Sequence, residues 1–383
     1  MKQKYDVIVL GVGTMGAAAC AYLASAGVKV LGLDQASIPN DVSSHSGYTR
    51  IIRKAYYEHP DYVPLLQKSY TLWNALEHQV NKTLYHETGI LYLGMPDSPI
   101  LNGCLQSSKL YDIPVENWTN AKTHSRFPQF MYPEDWIALW EPHAGYLDVN
   151  ESIKSMLSLA KASNAEIHDN EKAIRWDRSD IGIEVVTDKG VYRSEKLIIT
   201  AGPWTSQLCA MYQLPLSVTR QSLTWIETDY LPEYRHPAFP CWFIHDPNKG
   251  MYYGFPDAEI YDTSAPQGIK FGLHAPGMPS DPDYLNRGIL PIDIADADHF
   301  IDHYMPLLQS ASRSYAKCMY TYTPDEHFVL DYLPQTDQKV MMACGFSGHG
   351  FKFAPVIGMI LADMTMGNTI DLNFDFLRLN RLK

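Results

Sequence analysis

Apolar and polar positions fall into blocks that change period several times along the chain. Tyr5 to Leu10 (Y-D-V-I-V-L) is a short run rich in β-branched residues and predicts a buried strand. Ala17 to Ala26 is alanine-rich, which favours a helix, and Gly27 closes it. Val28 to Leu33 predicts a second strand that ends at Asp34. Tyr62 to Leu76 carries apolar residues at helical spacing. From about Thr83 to Trp140 the pattern predicts short strands broken by Pro, Gly and Asp, the signature of an inserted second domain. Asn150 to Ala162 predicts a helix. Ile183 to Thr187, the turn Asp188-Lys189-Gly190, and Val191-Tyr192 predict a hairpin, and Lys196 to Thr200 a buried strand. Leu214 to Ala311 returns to irregular, strand-like text with many aromatics. Val340 to Cys344 predicts a strand, Gly345 to Phe353 a glycine-rich loop, and Pro355 to Met366 a helix ended by Gly367. The expected plan is α/β, with a nucleotide domain (1–82, 146–213 and 319–383) interleaved with a substrate domain (83–145 and 214–318).

Between the first strand and the first helix stands Gly11-Val12-Gly13-Thr14-Met15-Gly16. Strand, G-x-G-x-x-G, helix, strand and acid follow one another in Rossmann order. Gly11 permits the tight turn, Gly13 lets a pyrophosphate approach the backbone, and Gly16 lets helix pack on strand. The helix N-terminus, at Thr14 and Met15, offers unpaired N–H groups and a positive dipole end to phosphate. Asp34 is placed to accept hydrogen bonds from ribose hydroxyls. A glycine-rich turn without a dinucleotide is the alternative, and the motif does not choose between FAD and NAD. Ala201-Gly202-Pro203-Trp204, just past the strand at 196–200, reads either as a second backbone contact to the nucleotide or as a simple turn.

The net charge is −12 over 383 residues, which argues against a nucleic-acid partner. No run of eighteen apolar residues occurs, so no membrane span is expected. The N-terminus enters a strand pattern at once, without the features of a signal peptide. The six cysteines (Cys20, Cys104, Cys209, Cys241, Cys318 and Cys344) are dispersed with no C-x-x-C pair. That makes a zinc site or a disulfide framework a poor reading and fits a reduced, cytoplasmic setting better. Against this acidic background a local group of cations needs an explanation.

Three further segments carry a family likeness: Thr49-Arg50-Ile51-Ile52-Arg53; Lys317-Cys318-Met319-Tyr320-Thr321 with Pro324-Asp325-Glu326-His327-Phe328; and Gly345-Phe346-Ser347-Gly348-His349-Gly350-Phe351-Lys352-Phe353. With the N-terminal glycines and Tyr252-Tyr253-Gly254-Phe255-Pro256, the chain resembles the monomeric sarcosine oxidase and N-methyltryptophan oxidase family nearly end to end. The resemblance implies a D-amino-acid-oxidase-like fold: a Rossmann-like FAD-binding domain interleaved with an antiparallel or mixed-sheet substrate domain. It implies FAD bound covalently through its 8α-methyl to the sulfur of Cys318, a small amino-acid substrate, dioxygen as acceptor, and a monomer. A buried, inert thiol is the other reading of Cys318.

By the same resemblance Arg53 and Lys352 grip the substrate carboxylate, as suits a planar guanidinium fork and a point charge. Arg50, beside Thr49, tunes the flavin electrostatically. Lys270, in Ile269-Lys270-Phe271-Gly272, activates oxygen; an alternating strand with this lysine facing water is the alternative. His274 and Tyr253 line the substrate cavity, where His274 orients or deprotonates the amine or is simply a satisfied structural histidine. Tyr320 borders the flavin or substrate, or is aromatic core. Gly345, Gly348 and Gly350 bring backbone close to the isoalloxazine, with Gly348 also near the substrate, and the following helix aims its N-terminus at the ring.

The chain departs from the family at Ser44-His45-Ser46-Gly47-Tyr48-Thr49-Arg50. Ser46 stands where relatives carry a second histidine, and Tyr48 where they carry aspartate. The loop from Pro256 to Gly268 is longer and is expected to reshape the cavity entrance. Two other functions compete with an oxidase. One is a flavin dehydrogenase of a cyclic or secondary amino acid, of pipecolate or proline type, that passes electrons to another acceptor. The other is a non-catalytic dinucleotide-binding protein.

Overall fold

The computed structural model describes residues 4–179, 182–227, 231–274 and 277–382. Among them the chain forms two large sheets and a small one. The first sheet begins as the β-branched run predicts. Lys4–Leu10 pairs in parallel with Val30–Leu33 (Leu10 opposite Leu33) through the helix Thr14–Ser25. On its other side it pairs in parallel with Val191–Ile199, Leu10 opposite Ile199. The strands therefore end together, and Gly11 and Ala201-Gly202 meet at the carboxyl edge of the sheet. That edge, where neighbouring strands connect in opposite directions, is where such sheets hold ligands. Val340–Cys344 extends the sheet in parallel beyond Val191–Ile199, and the antiparallel strands Ala173–Ser179 and Gly182–Thr187 flank it. The helices Thr14–Ser25, Val149–Ala162 and Ala354–Met366 cover one face. Gly358 lets the last of these press on Ala18, where an added Cβ would lie 2.5 Å from that methyl group.

The second sheet is largely antiparallel. Ser217–Ile226 pairs over its whole length with Arg313–Tyr322 and on its other edge with Ile269–His274; Ile269–His274 pairs with Gly250–Phe255, and that strand with Cys241–Asp246. Ile90–Gly94 joins Cys241–Asp246 in parallel, so the two inserted stretches complete one sheet. The 318/319 boundary expected between domains falls inside Arg313–Tyr322, which stays in this sheet throughout. A three-stranded sheet of Thr49–Ile52, Gly145–Asp148 and Tyr85–Glu87 lies beside both.

Helices replace expected strands in three places: Pro99–Tyr111, Asn120–Arg126 and Pro291–Tyr304. The first has its own local cause. Ser98 caps it by accepting from the Leu101 N–H, Pro99 suits its first position, and Ile100, Leu101, Cys104 and Ser107 form one buried stripe. The proline and small polar residues that looked like strand breakers are helix starters. The predicted hairpin arm at Val191-Tyr192 and the strand at 196–200 are one continuous strand, because it has a partner on each edge. No described helix is long and apolar enough to cross a membrane, and all six cysteines are buried and unpaired.

Candidate active site

The glycine motif makes an open cradle at the end of the first strand. Gly11 has φ +88°, and a Cβ there would lie 2.6 Å from the Thr200 carbonyl oxygen and from the Ala201 Cα. Only glycine fits that turn. Gly16 serves packing alone, since a Cβ would strike the Gly11 carbonyl at 2.0 Å. Gly13 differs: nothing lies nearer to its missing Cβ than the His45 ring at 3.5 Å, and the space opens into a large cavity. The helix Thr14–Ser25 has no side-chain cap, so its first N–H groups face the same space. Asp34 accepts from the Val12 N–H (2.8 Å) and the Ala36 N–H (3.0 Å). Burial raises its pKa to about 6 against the pull of those two donors. His45 Nε2 is buried without a partner on the wall of this groove. An uncapped helix end, open space at Gly13 and an orphaned imidazole nitrogen together fit a dinucleotide pyrophosphate.

The groove runs on, as one cavity of about 350 Å³, into a pocket lined by Arg50, Arg53, Tyr253, His274, Tyr320 and the segment 345–352. Gly202 and Gly345, Gly348 and Gly350 lie on its wall. Gly348 has φ +81°, and a Cβ would stand 2.3 Å from the Tyr320 ring and 2.8 Å from the His274 ring, so this turn closes tightly on the pocket. The Arg50 guanidinium donates to the carbonyls of Ser44, Ser46 and Thr49 at 2.6–2.9 Å, which fixes its cation at the groove wall. The Tyr253 and Tyr320 hydroxyls are 3.5 Å apart. Burial lowers the His274 pKa to about 4, so its ring is neutral at pH 7.

Two cations face the pocket under different constraints. Arg53 is fully buried and donates through Nη2 to both carboxylate oxygens of Glu58 (2.6 and 2.7 Å) and through Nη1 to the Ala55 carbonyl (2.8 Å). The rings of Tyr56, Tyr57 and Phe243 lie 4.3, 4.5 and 5.2 Å from its guanidinium carbon. Its Nε has no partner. Lys352 donates to the His349 carbonyl (2.7 Å) and has no carboxylate in direct contact. Burial, with help from Arg53 and Arg50, lowers its pKa to about 7 against the pull of Glu58. Arg53 is thus already engaged, whereas Lys352 keeps donors in hand.

Four of the expected residues do not line this cavity, Gly16 among them, which packs helix on strand. Thr49 and Lys270 line another one, and Cys318 is enclosed in the second sheet. Lys270 does not face water: it is 2% exposed and donates to the carbonyls of Gly47 (2.6 Å) and Thr49 (2.8 Å) and to the Thr49 hydroxyl (3.0 Å). Burial drives its pKa well down, and the Arg50 charge adds to this. Cys318 sits opposite Gln221 with its successors Met319, Tyr320 and Thr321 on the cavity wall. Burial raises its pKa, while Arg50, Lys270, Lys317 and Arg287 pull it down. Burial outweighs those cations, so the group rests as a thiol at neutral pH.

Sequence reasoning missed Glu58 and gave His45 no task. A lone acid five residues after Arg53 carries no pattern; only the fold bends the segment so that the pair meets. His45 had a signal in its place just before the family arginine, but its orphaned nitrogen is visible only in three dimensions. The long loop from Pro256 to Gly268 does not shape the first cavity's mouth beyond Phe255; it walls the second cavity.

The profile of the FAD dependent oxidoreductase family matches residues 6–364. Monomeric sarcosine oxidase of Bacillus sp. strain B-0618 is 34% identical over all of this chain and 97% of its own length. N-methyl-L-tryptophan oxidase of Yersinia pestis is 34% identical over 94% of each chain. Among solved structures, NikD, an amino acid oxidase of nikkomycin biosynthesis, superposes with a TM-score of 0.85 over 98% of this chain and 97% of its own at 23% identity. Glycine oxidase from Geobacillus kaustophilus gives 0.81 over 99% of each at 18%. The last two share the fold; the profile and the two relatives at 34% go further, and by them the chain belongs to the family of FAD-dependent oxidoreductases that includes monomeric sarcosine oxidase and N-methyl-L-tryptophan oxidase.

Proposed function

We propose that this enzyme oxidises an N-methyl or secondary amino acid of the sarcosine or N-methyl-L-tryptophan type, with FAD held covalently on Cys318 and hydrogen peroxide as product. The observation that carries the reading is the single cavity joining an uncapped, glycine-lined nucleotide groove to a pocket with Lys352, Arg53 and a neutral His274. The bound flavin would supply a two-electron acceptor for the substrate C–H bond. Everything else falls to side chains. Lys352 meets the substrate carboxylate, with Arg53 behind it. His274, uncharged at neutral pH, accepts a hydrogen bond from the substrate amine and leaves it unrepelled. Tyr253 and Tyr320 form one wall and exclude water. Arg50 holds positive charge at the groove wall, where it would stabilise negative charge on a bound flavin once reduced. The substrate loses a hydride from carbon and a proton from nitrogen, and water hydrolyses the resulting imine.

The reading includes a nucleotide domain and a substrate domain divided near residues 82, 145 and 213, and a monomer working in the cytoplasm, in keeping with six unpaired cysteines. The test is direct. The purified protein is precipitated with acid and centrifuged, then assayed for peroxide with sarcosine, N-methyl-L-tryptophan, pipecolate and proline. A yellow pellet and peroxide from an N-methyl amino acid are expected. A colourless pellet would remove the cysteinyl link. Turnover only with an artificial dye would favour a dehydrogenase.

A further inference from the structure

Two loops at the carboxyl edge of the first sheet wall the nucleotide groove, and one segment leaving the second sheet ties them together. The first loop follows Val30–Leu33 and brings Val42, Ser43 and Ser44 to the cavity. The second follows Val191–Ile199 and brings Gly202, Trp204 and Gln207. Gly202 has φ +53°, and apart from its chain neighbours no atom of the described residues lies within 4 Å of its missing Cβ, so this turn leaves space beside it. The tying segment runs between the short strand Met278–Pro279 and the helix Pro291–Tyr304. On it Asp283 accepts from Trp204 Nε1 (2.8 Å) and Gln207 Nε2 (3.0 Å), with Lys172 Nζ at 3.8 Å. Four residues on, Arg287 donates through Nη1 to the Asp41 carbonyl (2.8 Å) and through Nη2 to the Val42 carbonyl (3.5 Å).

The two ends of this segment are held with unequal strength. Its root is buried and charge-paired. Arg220, 4% exposed, donates to the carbonyls of Asn286 and Gly288 (both 2.7 Å) and to both carboxylate oxygens of Asp293 (2.8 and 2.7 Å). Asp293 also accepts from the Leu290 N–H (2.8 Å) and meets Lys317 Nζ (2.8 Å). Breaking such a buried network is costly. The hooks at Asp283 and Arg287 are exposed, and exposed polar contacts are worth little each. The hooks therefore let go first while the root stays in place. A dinucleotide lying in the groove would contact both wall loops, so a bridge between them opposes its escape without touching it.

We propose that the segment 281–288 is a clasp on the nucleotide groove: Asp283 and Arg287 hold its two wall loops together around bound FAD and release them when FAD enters or leaves. The proposal rests on FAD occupying the groove. Asp283 and Arg287 are positioning residues in it, acting through Trp204, Gln207 and the loop at Asp41 and Val42.

The test uses the full chain carrying Cys318→Ser, so that FAD binds reversibly. Association and dissociation of FAD are followed by flavin fluorescence in this parent and in the same protein with Asp283→Ala, Arg287→Ala or both. Both rate constants are expected to rise, dissociation by about tenfold in the double variant, the scale of one or two net hydrogen bonds. A residue that only supports the fold would not speed association. Arg287→Lys should bring dissociation back towards the parent value. A second measurement needs no change at either hook. Trypsin should cut after Arg287 about tenfold more slowly in the FAD-loaded parent than in its apoprotein, because the closed clasp must open to be cut. Double-variant rates within about twofold of the parent, or equal cleavage after Arg287 with and without FAD, would overturn the clasp. If the alanine variants do not fold, the cleavage experiment decides. A parent that binds no FAD at all would overturn the FAD reading of the groove and the clasp with it, whereas FAD binding with unaltered rates and unaltered cleavage would sink the clasp alone.

Discussion

Arg53 reaches the pocket already paired: its Nη2 lies 2.6 and 2.7 Å from the two carboxylate oxygens of Glu58. On the proposed function, a substrate carboxylate would meet a neutralised guanidinium, and the net attraction would come from Lys352. Glu58 keeps its charge because Arg53, His349 and Lys352 together outweigh the cost of burial and hold its pKa at about 2.

Glu58→Gln should therefore destabilise the fold by about 3–5 kcal/mol, since it leaves a buried cation unpaired. Arg53→Met combined with Glu58→Gln should cost less than the sum of the single changes. Urea unfolding at pH 7 measures both. The folded pKa of Glu58 lies below its unfolded value, so its contribution is complete above about 4.5 and is lost as pH falls from there towards about 2. A Glu58→Gln loss that stayed constant from pH 7 to pH 3 would contradict this account.

Lys352→Met should raise KM for a carboxylate substrate by about 10- to 100-fold, about 1.4–2.8 kcal/mol, with a smaller change in kcat. The wild-type kcat/KM should carry a limb near pH 7 from the lysine, whose cation weakens as pH rises through its pKa of about 7. The variant should lack that limb. An unchanged pH profile would assign the carboxylate to Arg53 alone.

Lys270→Met removes the donor shared by the Gly47 and Thr49 carbonyls and, on the proposed function, the group that meets dioxygen. Reoxidation of the reduced enzyme by dioxygen should slow by about 10²- to 10³-fold, the scale seen when one preorganised electrostatic partner is deleted. Anaerobic reduction should change far less. Equal reoxidation rates would mean that electrons go to a different acceptor.

Cys318→Ser should give protein whose flavin is released by acid, which permits a binding measurement on the apoprotein. In that background His45→Ala should weaken FAD binding by about tenfold, one hydrogen bond to a charged phosphate, about 1.5 kcal/mol. Titration followed by flavin fluorescence reads it. No change would show that the unpaired His45 Nε2 is met by solvent and not by the pyrophosphate.

The sequence by itself determined the nucleotide half of this protein. Strand, G-x-G-x-x-G, helix and acid are contiguous, and each constraint acts between residues that are near neighbours in the chain. Gly11 had to be glycine for its own turn, and the short apolar runs ending at Leu10 and Leu33 are strands buried at nearly every position. Lys352 and Gly348 were marked by the family resemblance alone; the structure places both on the cavity wall, on one loop between a strand and a helix. Helices at Pro99–Tyr111 and Pro291–Tyr304 were misjudged because proline signals a helix start as readily as a strand break, and only packing decides between them. What needed the tertiary structure was every relation that depends on distance across the chain. Pairing of Arg53 with Glu58 depends on how the segment after Ile52 is folded against Phe243 and Lys352. The separation of Lys270 from the substrate pocket depends on Phe255 arriving from the neighbouring strand. Residue types set the charges, but only the packed chain fixed which of them compensate one another and which are left to act on a ligand.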